Sequence, residues 1–267
     1  MTNYWQTTRT WVSTLLFWSY FVVSNALWWL GSLVVAAVTL PFDRQHRRAL
    51  HLYTCAWGHH YVSALPLWSA TWTGRDHIAP DQTYMLVSNH QSWGDILVLF
   101  GLFKHYKWVS KAIVFRVPFI GWNMTMNEYI PLKRGDPKSI AEMLDHCRNH
   151  LKRGSSIMMF PEGSRSADGR IKPFKHGAFT LARELGIPVV PIVIDGSLKA
   201  LPKHGLMMRT PWGLPVRIRV LEPVDVTVDT LESKIAAVRQ QMIETLADMR
   251  GLPEEAVDGT VLQAGTS

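Results

Sequence analysis

Between Arg9 and Asp43 the chain carries no charged residue, and no other feature restricts its fold as strongly. One membrane-crossing helix needs about 20 apolar residues and two need about 40, and residues 10–42 fall between these lengths. The run is interrupted by Ser13, Thr14, Ser19, Ser24, Asn25, Gly31 and Ser32. Three arrangements fit: one tilted span, a helical hairpin entering one leaflet, or a helix lying in the interface. A buried helix of a water-soluble domain fails on length. A signal peptide fails because the apolar region is too long and no small-residue cleavage site follows it. Pro41 ends the run, and Arg44, His46, Arg47 and Arg48 follow. Such a basic flank marks the cytoplasmic side, which puts the rest of the chain on the cytoplasmic face, as at a bacterial inner membrane. Tryptophans crowd into the first 72 residues, and their apolar ring with a polar N–H favours the membrane–water boundary.

Tyr53, Trp57 and Tyr61 stand at helical spacing with His51, His59 and His60 between them. Residues 49–72 therefore read as a second helix, packed on the first or on the lipid surface. Neighbouring His59 and His60 point to different faces, and no Asp, Glu or Cys is placed to complete a metal site. From Thr73 the composition becomes that of a globular domain. The chain divides into membrane-associated helices over 1–72, an α/β domain over 73–251, and a tail over 252–267 that reads as a surface extension.

Cys55 and Cys147 lie in unrelated contexts and suggest neither a disulfide framework nor a metal. The net charge of +7 and pI near 9.5 fit a phosphate-rich partner: nucleic acid, anionic lipid or coenzyme A. The aromatic residues sit among apolar ones and not in a basic groove, which argues against nucleic acid.

Inside the domain, the apolar run Tyr84-Met85-Leu86-Val87 has the composition of a buried strand. Ser88-Asn89-His90-Gln91-Ser92-Trp93-Gly94-Asp95 follows, and Ile96–Phe100 is long enough to begin a helix. His90 is therefore placed at a strand's C-terminal end, where open α/β sheets hold their ligands. Ser92 and Asp95 have the spacing of an N-cap and third helical residue, an approximate capping box. Along one continuous helix His90 and Asp95 would diverge by about 140°; across a loop-to-helix turn the carboxylate can fold back onto the imidazole. A His oriented by a carboxylate is a general base held in one tautomer. The plainer alternative is a structural His and an Asp that serves the helix dipole.

A second block, Phe160-Pro161-Glu162-Gly163-Ser164-Arg165-Ser166, also follows a strand-like run, Ile157–Phe160. Asn89-His90-x-Ser92-x-x-Asp95 together with this block resembles the paired motifs of the glycerolipid acyltransferases, the lysophosphatidic acid acyltransferase family, with Ser164 where the family has Thr. The resemblance covers roughly residues 75 to 225. It implies a mixed, largely parallel sheet flanked by helices, and transfer of a fatty acyl group from acyl-CoA or acyl carrier protein to a lysophospholipid at a membrane. No cofactor is implied. Between the blocks the family often carries Lys-x-Glu-Leu; here Lys111-Ala112-Ile113-Val114 lacks the Glu, and no role for an acid is carried over.

The other candidate residues lie around these blocks. Lys133 and Arg134 end a strand-like run in the place of the family's second motif, and such a pair binds a phosphomonoester, Arg bidentately and Lys as a mobile charge. Glu162 is a candidate for the acceptor's hydroxyls or for fixing Arg165, Gly163 lets the backbone approach substrate, and Arg165 joins Arg134 or Lys133 on phosphate. Lys175 stands where the family pattern Lys-x-Gly opens a helix, whose free N–H groups suit another anionic group. Backbone N–H groups near Gly94, or a bound water, are the available donors to an oxyanion. No Ser or Cys stands in a nucleophile elbow, so direct attack is expected over an acyl-enzyme. Pro188 and Pro191 are expected to bar an ordinary central strand ladder. Two other readings remain at this point: an acyltransferase for another lyso-lipid, such as a lysophosphatidylglycerol or a lyso-ornithine lipid, and a non-enzymatic basic peripheral membrane protein.

Overall fold

The computed structural model describes residues 4–64, 68–199 and 213–260. The charge-free run forms one continuous helix, α1 (Tyr4–Asp43), which passes Pro41 and ends two residues later. At 1.5 Å per residue it is about 60 Å long. Within Thr14–Asp43 an 18-residue window has a mean hydropathy of 1.8, and the stretch is long and apolar enough to cross a membrane. The run is thus no hairpin by itself; a hairpin forms between α1 and the next helix, α2 (Arg48–Ser63), whose start is tied to α1 by Ala49 N–H donating to Asp43 Oδ2 at 2.8 Å. The polar interruptions of the run explain themselves here. Ser24, Asn25 and Ser32 face inward and are buried; Ser24 Oγ lies 2.7 Å from Tyr61 Oη. Gly31 admits α2 so closely that a Cβ would stand 1.9 Å from the Tyr53 hydroxyl. Val23, Leu27, Leu30, Val34 and Val38 form an exposed apolar stripe on the other side.

Helix α2 ends at Ser63, short of the expected 72. Trp68 and Trp72 belong instead to strand β1 (Trp68–Thr73), part of the main sheet. The six other strands are β2 (Met85–Ser88), β3 (Tyr106–Lys111), β4 (Ile130–Leu132), β5 (Ser156–Met159), β6 (Val189–Asp195) and β7 (Leu214–Val220). Their order is β1-β7-β6-β2-β5-β3-β4, with every neighbouring pair parallel except β6–β7. The sheet is mixed and largely parallel, as expected. One face is covered by α5 (Pro137–Lys152), α6 (Gly177–Leu185) and α7 (Leu231–Arg250), through Met143, Cys147, Phe179, Val238, Met242 and Leu246. The other carries α2, α3 (Gly94–Phe100) and α4 (Ile120–Met126), through Cys55, Leu99, Phe100, Trp108 and Met124. Both cysteines are core residues, fully buried.

Pro191 lies inside central strand β6, in register with Val87 of β2, and the ladder is not an ordinary one at that position. Its carbonyl accepts from Leu221 N–H at 2.9 Å. A residue's N–H and C=O point to the same side of a strand, so the missing donor faces Leu221, and the reciprocal bond of that pair is absent just where the β7 ladder begins at Ile192–Val220. The tail also differs from a surface extension: Val257 is fully buried, Asp258 bridges to Ile171, and Arg239 pairs with Asp258.

The turn between α1 and α2 is bolted to the N-terminal edge of the sheet, away from the strand ends that carry His90. The fully buried Lys107 donates to His46 O at 2.7 Å and Asn127 O at 2.8 Å, and burial lowers its pKa to about 8. Arg47 reaches Met126 O and Glu128, so one arginine of the basic flank serves the fold, while Arg44 and Arg48 stay exposed. Above this turn α2 is seated on α3, and a Cβ on Gly58 would lie 2.3 Å from the Phe100 ring. Gly58→Ala is therefore expected to cost about 1–3 kcal/mol by overpacking, read as a lower melting temperature of the detergent-solubilised protein. Unchanged melting would mean that α2 is not held against α3.

Candidate active site

Strand β2 is fully buried between β5 and β6, and its end is fixed by Asn89. The side-chain amide donates to Ile194 O at 2.9 Å and its oxygen accepts from Ile194 N–H at 2.8 Å, adding one more rung across β2 and β6. Gln91 Nε2 reaches the same carbonyl at 2.9 Å. The chain then turns into α3, and the turn is organised by the Asp95 carboxylate, which has no solvent exposure. Its Oδ2 accepts from His90 Nδ1 at 2.8 Å, from Gln91 N–H at 2.7 Å and from Ser92 N–H at 2.8 Å.

The expected capping box is half made. Asp95 reaches back to the Ser92 N–H as its acidic partner would, but α3 begins at Gly94, and Ser92 Oγ accepts from Gly94 N–H at 3.1 Å. That N–H is thereby removed from the candidate oxyanion donors. A carboxylate only accepts, so Nδ1 of His90 carries the proton and Nε2 keeps the lone pair. The imidazole lies flat on Phe160, with centroids 3.8 Å apart and 8° between planes.

The second block arrives on β5, next to β2. Glu162 does not reach out toward solvent: its Oε1 accepts from the His90 backbone N–H at 2.9 Å, and Oε2 accepts from Lys172 N–H at 3.3 Å and lies 3.9 Å from Lys172 Nζ. It therefore holds the backbone of His90 and does not pair with Arg165. Lys172 Nζ also donates to Ser164 O, Ser164 Oγ and Arg165 O at 2.6, 2.7 and 3.0 Å, and Ser166 N–H donates to His90 O at 2.7 Å. Gly163 has φ of +72°, and the Lys175 side chain folds so close across it that a Cβ would lie 2.8 Å from Cε. Lys175 N–H donates to Pro161 O at 2.9 Å, and α6 opens two residues on, as the Lys-x-Gly pattern implied.

Arg165 stacks over the half-exposed Trp93 at 4.8 Å from its ring centre, and its Nη1 is buried without a hydrogen-bond partner among the described residues. Burial lowers its pKa, Asp95 opposes that shift and Arg134 adds to it, so the guanidinium lies in the field of both. Lys133 and Arg134 follow β4, two strands beyond β5. They line a groove of about 380 Å³ with Lys111, Arg116, Ile113 and Leu132. Lys133 is largely exposed and pairs with Asp136 at 3.4 Å; Arg134 has no carboxylate partner among the described residues.

All nine candidate residues thus lie on or beside one edge of the sheet, with His90, Asp95, Glu162 and Arg165 closest together. Four further residues, Asn89, Phe160, Trp93 and Lys172, were not among the candidates. Asn89, Trp93 and Phe160 lie in the quoted blocks, but their contacts are visible only in three dimensions.

Known proteins resemble this chain in sequence and in fold. The Acyltransferase family profile matches residues 69–195. A chloroplastic 1-acyl-sn-glycerol-3-phosphate acyltransferase of Brassica napus is 38% identical over 205 residues, 74% of this chain and 58% of that protein. A 1-acyl-sn-glycerol-3-phosphate acyltransferase of Chlamydomonas reinhardtii is 30% identical over 236 residues, 88% of this chain and 70% of its relative. This chain belongs to the 1-acyl-sn-glycerol-3-phosphate acyltransferase family. Its fold resembles the crystal structure of the 1-acyl-sn-glycerophosphate acyltransferase of Thermotoga maritima, with a TM-score of 0.76 at 24% identity, covering 91% of this chain and 97% of that one.

In this family member the burial of Glu162 has a measurable consequence. Desolvation raises its pKa to about 7, against the hydrogen bonds from His90 and Lys172 and the nearby Lys172 charge. The unfolded carboxyl ionises near 4.5, so between pH 4.5 and 7 the folded state binds the extra proton. Stability associated with Glu162 is complete below about pH 4.5, falls as pH rises toward 7, and levels off above it. The loss is on the order of 3 kcal/mol. Glu162→Gln lacks this titration, so the difference in unfolding free energy between wild type and variant is expected to move against wild type from pH 5 to 7, then flatten. A difference independent of pH would mean that Glu162 is ionised throughout.

Proposed function

We propose that this chain transfers a fatty acyl group from acyl-CoA or acyl carrier protein to the free sn-2 hydroxyl of 1-acyl-sn-glycerol 3-phosphate, giving phosphatidic acid. The observation that carries the reading is the His90–Asp95 pair at the end of β2, with Arg165 held beside it over Trp93. Nε2 of His90 accepts the proton of the acceptor hydroxyl as its oxygen attacks the thioester carbonyl. Asp95 fixes the ring and stabilises the imidazolium. The tetrahedral intermediate then expels the thiolate, which takes the proton back from His90. Arg165, with Arg134 and the more exposed Lys133, supplies charge for the acceptor phosphate. Lys175, arched over Gly163, supplies a further cation at the second block.

The reading places the reaction at a membrane, because both the lyso-lipid and the acyl chain partition there. Helix α1 supports this with its exposed apolar stripe, and Arg44 and Arg48 at its end support a domain on the cytoplasmic face. The Brassica napus relative is chloroplastic; for this chain the basic flank supports the cytoplasmic face of a membrane such as a bacterial inner membrane.

Acyl transfer by the purified full-length protein from oleoyl-CoA, and from oleoyl acyl carrier protein, to a panel of lyso-lipids tests the proposal. Transfer to lysophosphatidic acid is expected to exceed transfer to lysophosphatidylglycerol and lyso-ornithine lipid; the opposite ranking would discard the acceptor. His90→Ala and Asp95→Ala are expected to lower kcat by about 10²–10⁴. Arg165→Ala is expected to raise the acceptor KM by roughly tenfold to a hundredfold, and an unchanged KM would remove Arg165 from the phosphate site.

A further inference from the structure

Beyond the reacting groups, the segment that follows β3 presents an unusual surface. A 3₁₀ turn over Ala112–Arg116 leads through Val117-Pro118-Phe119 into α4. Ile113, Val117 and Trp122 along it are 51%, 42% and 45% exposed, in a domain whose other large apolar side chains mostly lie inside. Lys111 stands just before them and Arg116 between them, both exposed and without a carboxylate partner among the described residues.

The segment is also held outward deliberately. Phe119 has φ of +63° and ψ of −58°, and Ile120 N–H donates to Pro118 O at 2.7 Å, a three-residue turn of the rare, strained hand. No residue but glycine fits at Gly121, where a Cβ would lie 2.3 Å from Phe115 O. The strained turn brings the Phe119 ring to 5.8 Å from Trp29 of α1, and Trp122 to 5.0 Å from the same ring. The exposed apolar residues are thereby continuous with the side of α1.

We infer that residues 111–122 form a second membrane-contacting surface, which seats the catalytic domain on an anionic bilayer, with Ile113, Val117 and Trp122 among the acyl chains and Lys111 and Arg116 at the lipid phosphates. The inference rests on the reading that α1 is in the membrane. An apolar patch alone would also suit a protein partner; the interleaved, unpaired cations select an anionic lipid surface. The consequence is a route for the acceptor. The groove lined by Lys111, Arg116 and Arg134 opens beside this surface, so a lyso-lipid enters sideways from the leaflet, phosphate first, without leaving it.

The test uses the full chain in vesicles with a polarity-sensitive fluorophore on Val117→Cys or, separately, Ile113→Cys. The native Cys55 and Cys147 are buried and do not compete. Labels on Leu27→Cys of α1, 63% exposed, and on Lys138→Cys of α5 serve as membrane and solvent references. In phosphatidylglycerol-containing vesicles the labels at 117 and 113 are expected to be quenched by nitroxide lipids and protected from aqueous iodide, like the label at 27 and unlike that at 138. Phosphatidylcholine vesicles, or Arg116→Glu, are expected to weaken that quenching at 117 while leaving 27 unchanged. Labels at 117 and 113 that follow 138, with 27 quenched by lipid, would overturn the second surface and leave α1 in the membrane. If 27 also followed 138, the membrane reading itself would fall. Protection from both quenchers would put a protein there and overturn the inference.

Discussion

The structure of the site depends on one buried carboxylate. Asp95 is fully enclosed, and a single oxygen takes the imidazole of His90 and two backbone N–H groups. An isolated ion in such a place is strongly disfavoured; three donors on one oxygen offset that and leave little freedom to the turn between β2 and α3. Asn89 locks the strand on one side of this turn, and Glu162 holds the His90 backbone from the other. The geometry of the imidazole is thus set by groups that do not face the substrate, which is the condition for a base that needs no rearrangement before it acts.

How much of this could be read from the chain follows from the separation of the partners. His90 and Asp95 are five residues apart, and the strand–turn–helix pattern around them is local, so their pairing was legible. The core face of α5, with Met143, Cys147 and Leu151, was legible for the same reason. Glu162 was placed at the correct edge but given the wrong partner, because the His90 N–H it binds lies 72 residues away. Nothing local distinguishes a carboxylate aimed at a backbone from one aimed at a ligand. Trp68 and Trp72 were read as helix because aromatic richness dominated; their strand exists only through its partner β7, far along the chain. Pro191 was legible as a break in the ladder, because a proline lacks the donor wherever it stands; that its strand is central and its partner there is Leu221 is a tertiary fact.

The two helices before the sheet are more than an anchor attached by a linker. Their connecting turn is gripped by the buried ammonium of Lys107 and by Arg47, and α2 lies between α1 and α3. The edge that carries His90 and the long apolar helix are thereby parts of one packed body. This explains why α1 mixes apolar residues with buried Ser24, Asn25 and Ser32: one side must satisfy α2, while the stripe through Leu27, Leu30 and Val34 is left exposed on the other.

The order of the strands also bears on how the cations are used. From β2 the sheet runs through β5 and β3 to β4, at about 4.8 Å per step. Arg165 follows β5, one step from His90, whereas Arg134 follows β4, three steps away. In a glycerol phosphate only a few bonds separate the sn-2 oxygen from phosphorus. In the proposed reaction, with the hydroxyl at Nε2, the phosphate falls within about one step, beside Arg165, whose Nη1 has no partner among the described residues. Arg134 starts from a strand farther out and lies in the groove beside residues 111–122, yet its charge still acts on Arg165. The proposed phosphate site is therefore graded, with Arg165 as its inner cation and Arg134 as its outer one.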